Sequence, residues 1–273
     1  MILYPNAKIN IGLNVLEKRE DGFHNLETLF YPVGRIENQH DTTLLTHNVD
    51  ILEIVQADKL AMFQYGIEYP GDPMDNLCIK AYDILHRDFD IPPIAIHLYK
   101  KIPVGAGLGG GSSDAAFTLK GLNDMFSLGL SDSRLAEYAA CLGSDCAFFI
   151  YNRPMIGTGR GEVLSPVDIP ALDGYEIKLV YPPYFVSTAA AYGGIVPRDK
   201  RAANGEIFDS RGLLEMLEKP VETWRDCVLN DFETTVFAKI PQLASYKEQL
   251  YKEGAVYASM SGSGSAFFGI FRK

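Results

Sequence analysis

Cysteine is scarce and unpatterned. Cys78, Cys141, Cys146 and Cys227 form no C-x-x-C pair and fit no zinc spacing, which argues against a disulfide framework or a structural metal and predicts buried, reduced thiols. Long apolar runs are also missing. The longest, such as CAFFIY at 146–151, fall far short of the roughly 20 residues that span a bilayer, so no membrane partner is expected. The opening residues MILYPNAK lack a signal-peptide layout, and together these features predict a cytoplasmic setting. Positive charge is in deficit, with a formal net charge of −10. A nucleic-acid partner calls for a basic face, so none is expected. An anionic substrate must then be drawn by local cations such as Lys8, Lys18, Arg19, Lys100, Lys101 and Arg160, not by the global field. Neither an internal repeat nor a low-complexity tract is present.

What remains is ordinary for a globular chain: 273 residues, 47% hydrophobic and 22% charged, enough for two domains without staples. The unusual stretch is KIPVGAGLGGGSSDAAFTLKGLNDM at 101–125, with five glycines between Gly105 and Gly111. A mere turn needs one or two. Before it, Ile94, Ile96 and Leu98 alternate with Ala95, His97 and Tyr99, as in a strand. After it, Ala115, Leu119, Leu122 and Phe126 recur at helical spacing. Ser112 or Ser113 is expected to cap that helix, and Asp114 suits its first turn. Strand, glycine loop and capped helix together make an anion site, most often for phosphate.

The loop is not a Walker-type phosphate loop, because no lysine precedes Ser112. Gly105, Gly107 and Gly110 match G-x-G-x-x-G, but a dinucleotide fold also needs a second parallel strand. The chain after Phe126, SLGLSDSRLAEYAACLG, instead reads as a turn and another helix, which argues against hydride transfer.

Three further stretches carry chemistry. In AKINIGLNV, Ile9, Ile11 and Leu13 alternate with Lys8, Asn10, Gly12 and Asn14. By periodicity Lys8 is either a surface residue or a functional cation. Asp21-Gly22 signals a hairpin. Phe23 and His24 follow it, either as packing or as a ring and a polar edge for a heterocycle, with Leu26 and Leu29 inward. In LGSDCAFF, Gly143 is expected to end a helix as its C′ residue. Asp145 then either caps the chain or has a shifted pKa and a task. The late stretch MSGSGSAFF, with Gly262 and Gly264, is either a plain hairpin loop or a place where Ser261, Ser263 and Ser265 approach a second surface.

Residues 151–175 are rich in glycine and proline, and a domain boundary is expected near residue 152. Beyond it we expect a strand at EIKLVYPP, helices over 211–219, 221–238 and 242–254, and a final strand–loop–strand from Ala255. Mixed strands and helices without regular alternation predict α+β.

Together these motifs resemble the GHMP kinase superfamily: Ala7-Lys8-Ile9-Asn10 near the start, the loop from Pro103 to Ala116, and Met260–Gly264 near the end. The loop identifies the superfamily. The blocks DGFHNLETLF, GGGSSDAA, LGSDCAFF and GRGEVL single out the members that act on a cytidine-diphosphate-linked methylerythritol. The resemblance implies a domain at 1–152 with a ribosomal protein S5 domain 2-like fold, and one at 153–273 with a ferredoxin-like fold. It implies ATP phosphates on Pro103, Val104, Gly105, Ala106, Gly107, Leu108, Gly109, Gly110, Gly111, Ser112 and Ser113. The adenine would lie near Asn76 and Leu77, which also read as an N-cap and a core leucine. Cytidine would meet Phe23, His24, Thr188 and Tyr192, and the methylerythritol would lie against Lys8 and Asp145. Mg²⁺ is implied by ATP, with no acidic ligand identifiable. The activity implied is phosphorylation of the 2-hydroxyl of that small-molecule substrate, in isoprenoid precursor synthesis. The nearest rival is a homoserine or mevalonate-type kinase, which gives no reason for the DGFHNLETLF block. Relatives usually continue beyond the point where this sequence stops at Lys273. Either another element covers the face of the second domain that such a continuation would occupy, or a homodimer shares it.

Overall fold

The computed structural model describes residues 1–34, 49–68, 71–204 and 212–273. In chain order the strands are β1 (Ile2–Leu3), β2 (Ala7–Lys18), β3 (His24–Val33), β4 (Ile51–Gln56), β5 (Ala61–Gly66), β6 (Ile94–Lys100), β7 (Met155–Thr158), β8 (Val163–Pro166), β9 (Tyr175–Val180), β10 (Tyr257–Met260) and β11 (Phe267–Arg272). The helices are α1 (Leu77–Phe89), α2 (Gly110–Met125), α3 (Asp132–Leu142), α4 (Cys146–Tyr151), α5 (Thr188–Tyr192), α6 (Arg198–Ala203), α7 (Leu213–Leu217), α8 (Phe232–Lys239) and α9 (Gln242–Lys252). They fall into two compact units. The first holds Met1–Lys8, Pro32–Val104 and Gly109–Arg153; the second holds Ile9–Tyr31, Gly105–Leu108 and Pro154–Lys273.

The first unit is built on a sheet of order β1-β4-β6-β5. Its alternation is the one read in β6: Ile94, Ile96 and Leu98 are fully buried, and β4 adds Leu52 and Ile54. α2 covers this apolar face with Ala115, Leu119 and Leu122. It comes so close that a Cβ on Gly121 would lie 2.6 Å from Leu3 Cδ1 and 3.0 Å from Ile54 Cδ1, so those side-chain ends would have to shift to admit one. α1 packs beside α2. Asn76 starts α1 by accepting the Cys78 amide at 2.9 Å. After α2 come α3 and α4, and the next strand, β7, pairs antiparallel with β3. Among the described residues no parallel strand follows the glycine loop in a dinucleotide arrangement. Gly143 ends α3 with φ 175°. That is extended backbone open to any residue, not the left-handed C′ geometry expected.

The second unit carries the sheet β2-β3-β7-β8 and the antiparallel sheet β10-β11-β9. From Ile9 to Val15, β2 is buried on both faces, so the polar row of Asn10, Gly12 and Asn14 is interior, not solvated. A core of Leu13, Val15, Leu26, Phe232, Val236, Leu250 and Phe267 lies among these elements. The helix expected over 221–238 is broken. A 3-10 turn covers Val221–Asp226 and α8 begins only at Phe232. The residues between serve as a strand-like partner for β2: Leu13 donates to Leu229 O at 2.8 Å and accepts from Asp231 N at 2.9 Å. Asn230 meanwhile donates to the carbonyls of Met260 and Gly262. These long-range bonds outweigh local helix propensity. Of the helix expected over 211–219, Arg211 lies outside the described residues and α7 covers Leu213–Leu217. None of the four cysteines forms a disulfide, but only Cys78 and Cys146 are buried; Cys141 is exposed and Cys227 partly so.

Candidate active site

The glycine loop connects β6 to α2. Gly107 has φ +79°, and a Cβ there would fall 2.1 Å from Ser261 O. The Ser261 hydroxyl donates to Gly107 O at 2.9 Å, and Ala266 N donates to Ala106 O at 3.1 Å. The surface that the late glycine stretch approaches is therefore the loop itself. Ala106 and Leu108 are buried, Val104 and Gly105 are exposed, and Pro103 is half-buried.

Gly109, at φ +70°, is the N-cap of α2, and no side chain caps the helix. The expected caps therefore sit too late. Ser113 is already inside the helix, its amide bonded to Gly109 O at 2.9 Å, and its buried hydroxyl has no partner among the described residues. Ser112 meets the thiol of Cys146, whose pKa burial pushes up to about 11. Asp114 is buried and paired with Lys100, not a solvated first-turn acid. The helix thus starts on glycines, and the amides of Gly110, Gly111 and Ser112 have no intrahelical acceptor. Gly111 is exposed, with no atom within 4 Å of the place a Cβ would take. The arrangement presents backbone donors and the positive end of a helix dipole to an anion.

Beside that helix start lies an ion pair. Lys8 Nζ is 3.3 Å from Asp145 Oδ2. A Cβ on Gly109 would stand 3.2 Å from Lys8 Cε, which places the lysine stem against the loop. Lys8 is 3% exposed, so the periodicity reading of a surface lysine does not hold. Asp145 occupies the N-cap position of α4, yet its side chain makes no capping hydrogen bond. Capping, one of its two expected roles, is absent. A carboxylate that faces a lysine and leaves its local backbone alone is suited to binding or moving a proton.

Phe23, His24, Thr188 and Tyr192 all lie in the second unit. The hairpin read at Asp21-Gly22 is present: Gly22 has φ +85° and Arg19 N donates to Phe23 O at 2.8 Å. His24 stacks on Tyr192 with ring centroids 5.1 Å apart and 21° between planes. Burial, then the charge of Lys18, holds the His24 imidazolium below its usual pKa, which favours the neutral ring, a donor at one nitrogen and an acceptor at the other. Phe23 is 53% exposed. One side of its ring carries the Arg160 guanidinium at 4.8 Å. Thr188, exposed at the start of α5, has its hydroxyl 3.2 Å from Ser263 Oγ.

Asn76 and Leu77 stand at the start of α1, where Asn76 caps and Leu77 is half-buried. Two features escaped the sequence reading. Arg160 reads as one of several loose cations until the turn of Gly159 and Gly161 lays it over Phe23. The buried group of Asp50, Lys100 and Asp114 links residues too far apart in sequence to be joined by pattern.

The patterns of two protein families match the chain: GHMP kinases N terminal domain over residues 76–153 and GHMP kinases C terminal over residues 211–273. A 4-diphosphocytidyl-2-C-methyl-D-erythritol kinase of Bacteroides fragilis is 48% identical over 99% of this chain and 92% of its own length. One of the same name from Bacteroides thetaiotaomicron is also 48% identical, with the same coverage. The chain belongs to the 4-diphosphocytidyl-2-C-methyl-D-erythritol kinases, a family of GHMP kinases. A crystal structure of 4-(cytidine 5'-diphospho)-2C-methyl-D-erythritol kinase superposes with a TM-score of 0.75 at 30% identity, covering 98% of this chain and 89% of that one. The region matching the GHMP kinases N terminal domain contains the glycine loop.

Proposed function

We infer that the chain transfers the γ-phosphoryl group of ATP to the 2-hydroxyl of 4-diphosphocytidyl-2-C-methyl-D-erythritol, in the non-mevalonate route to isoprenoid precursors. The relatives support the substrate. The observation that carries the chemistry is the Lys8–Asp145 pair lying against the start of α2.

Phosphoryl transfer asks a protein mainly for positioning and charge stabilisation. In this reading the loop from Pro103 to Ser113 receives the ATP phosphates, with the α2 amides as donors and Asn76 and Leu77 near the base. Asp145 accepts the proton of the attacking hydroxyl or holds that hydroxyl in line. Lys8, 3.3 Å from Asp145 Oδ2, holds that carboxylate in place and offsets negative charge that grows during transfer. Phe23, His24, Tyr192 and Thr188 hold the cytidine, by ring stacking and by hydrogen bonds to the base edge. A domain at 1–152 for ATP and one at 153–273 belong to the same reading.

Magnesium is the implied metal. Among the described residues no group of three or more His, Cys, Asp or Glu side chains could hold an ion. Asp145 is a carboxylate paired with Lys8 beside the start of α2. A single carboxylate with nucleotide phosphates and water is an ordinary Mg²⁺ donor set, so these residues fit an ion that arrives with ATP. When bound, Mg²⁺ supplies charge neutralisation on the transferring phosphates.

No helix among the described residues is long and apolar enough to cross a membrane. With four cysteines that form no disulfide, a cytoplasmic setting fits this reading. The testing experiment is ATP turnover with the cytidine-diphospho-methylerythritol against homoserine and mevalonate. Turnover with the first alone is expected.

A further inference from the structure

Asp50, Lys100 and Asp114 form a buried ionic group in the first unit. Asp50 is fully buried, Asp114 is 2% exposed and Lys100 4%. Lys100 Nζ donates to Asp50 Oδ2 at 2.5 Å and to Asp114 Oδ2 at 2.7 Å. The other Asp50 oxygen accepts the amides of Lys101 at 2.5 Å and Ile102 at 2.9 Å. Such groups are costly. Desolvation weighs on each ion, and replacing a buried set by neutral residues is often neutral or stabilising. Here two carboxyl groups face a single ammonium. Among the described residues, Asp114 Oδ1 has no hydrogen-bond partner. A structural purpose alone would be met more cheaply by apolar packing, so its placement is informative.

The placement brackets the glycine loop. Lys101 and Ile102 are the last residues before Pro103, and Asp50 holds both their amides. Asp114 is on the first turns of α2, just after Ser113, and a Cβ on Gly110 would stand 3.2 Å from Lys100 Nζ. The Lys100 carbonyl is fixed as well, by the Ile67 amide at 3.0 Å. Lys100 therefore ties the chain before the loop to the helix after it. The loop's many glycines supply no side-chain packing and raise the entropy cost of order. Something rigid must set the distance between its ends, and ion–ion contacts of fixed geometry can do so.

We propose that Asp50, Lys100 and Asp114 are positioning residues that clamp the two ends of the glycine loop and so hold its amides in register for nucleotide phosphates, without touching the nucleotide. The proposal rests on the reading that those phosphates lie on the loop. It predicts a split in kinetic parameters that general destabilisation would not give.

The test uses the full chain and four proteins: wild type, Lys100→Met, Asp50→Asn, and the triple variant Asp50→Asn/Lys100→Met/Asp114→Asn. The triple variant leaves no unpaired buried charge, so it carries the test if Lys100→Met does not fold. Thermal melts, ATP binding by calorimetry and steady-state kinetics are read on each. The ATP KM and Kd of the triple variant should rise about tenfold or more, as small misplacements of binding groups do. The KM for the alcohol should stay within about twofold and the melting temperature at or above that of wild type. Asp50→Asn should show a smaller rise in the same direction. A triple variant that folds and binds ATP like wild type overturns the clamp, as does an equal loss of affinity for ATP and the alcohol. The underlying reading fails separately, if wild type binds no ATP or Gly111→Val binds it unchanged.

Discussion

Lys8 Nζ lies 3.3 Å from Asp145 Oδ2, a lysine whose side chain is 4% exposed against a carboxylate that keeps 31%. The lysine is thereby held in place while the carboxylate stays reachable. That asymmetry suits a pair in which one partner stabilises charge and the other meets the substrate.

If the two act as a unit, Asp145→Asn should lower turnover about 10²–10⁴-fold, the range for acid–base assistance. Lys8→Ala should lower it too. The double variant should lose much less than the product of the single losses. Single-turnover rates on folded protein, checked by melts, measure all three. ATP affinity should change little in Asp145→Asn.

Glycine positions in the loop are not equivalent. Gly109 has φ +70°, and a Cβ would stand 2.9 Å from Phe149 Cε2. Gly109→Val should therefore harm folding as well as nucleotide binding. Gly111 meets nothing and has no such φ. Gly111→Val should leave the melt nearly unchanged, because nothing in the fold crowds that position, yet weaken ATP binding, because its side chain would enter phosphate space. Calorimetry and a thermal melt separate the two effects.

His24 and Tyr192 already stack on each other. His24→Ala should raise the KM for the cytidine-linked alcohol and leave ATP binding intact, since a polar edge lost from a base site costs discrimination. Phe23→Ala should act the same way by about 1–3 kcal/mol of lost stacking. Calorimetric titration with each ligand reads both.

Much of this was legible in the sequence, for physical reasons that differ by residue. The alternation in β6 and the stripe of Ala115, Leu119 and Leu122 follow from period alone, because each face meets one environment. The glycine loop and the Asp21-Gly22 hairpin follow from backbone geometry. Lys8 was ambiguous by period, because β2 is buried on both faces and alternation carries no information there. The start of α2 lies earlier than its best capping residues suggest: Ser112 and Ser113 are good caps, but glycine at Gly109 tolerates the left-handed backbone that the loop needs. The break before α8 was hidden because its cause, Asn230 bonding to Met260 and Gly262, spans some thirty residues.

Asp114 also predicts a pH effect on stability. Burial, then the nearby Asp50, pushes its carboxyl up to about 7 against the opposing pull of Lys100. The other titratable groups facing it are Lys100 on β6 and Cys78 on α1, whose thiol burial raises out of range. A carboxyl raised in the folded state contributes stability below its unfolded pKa and loses it as pH rises toward about 7. Asp114→Asn removes that loss. Its melting temperature relative to wild type should therefore be higher at pH 8 than at pH 5. Parallel melts across that range check it, and a constant offset would show that Asp114 does not titrate there.

Phosphoryl transfer to one particular alcohol is measured most directly as product formation by purified wild-type protein with ATP and Mg²⁺. Cytidine-diphospho-methylerythritol, homoserine and mevalonate are offered in parallel, with ADP release and phosphorus NMR of the product as readouts. The account predicts ADP release with the cytidine-linked alcohol only, and a new phosphate ester on its 2-hydroxyl. Turnover of homoserine or mevalonate in its place, or folded protein inactive with all three, would contradict it.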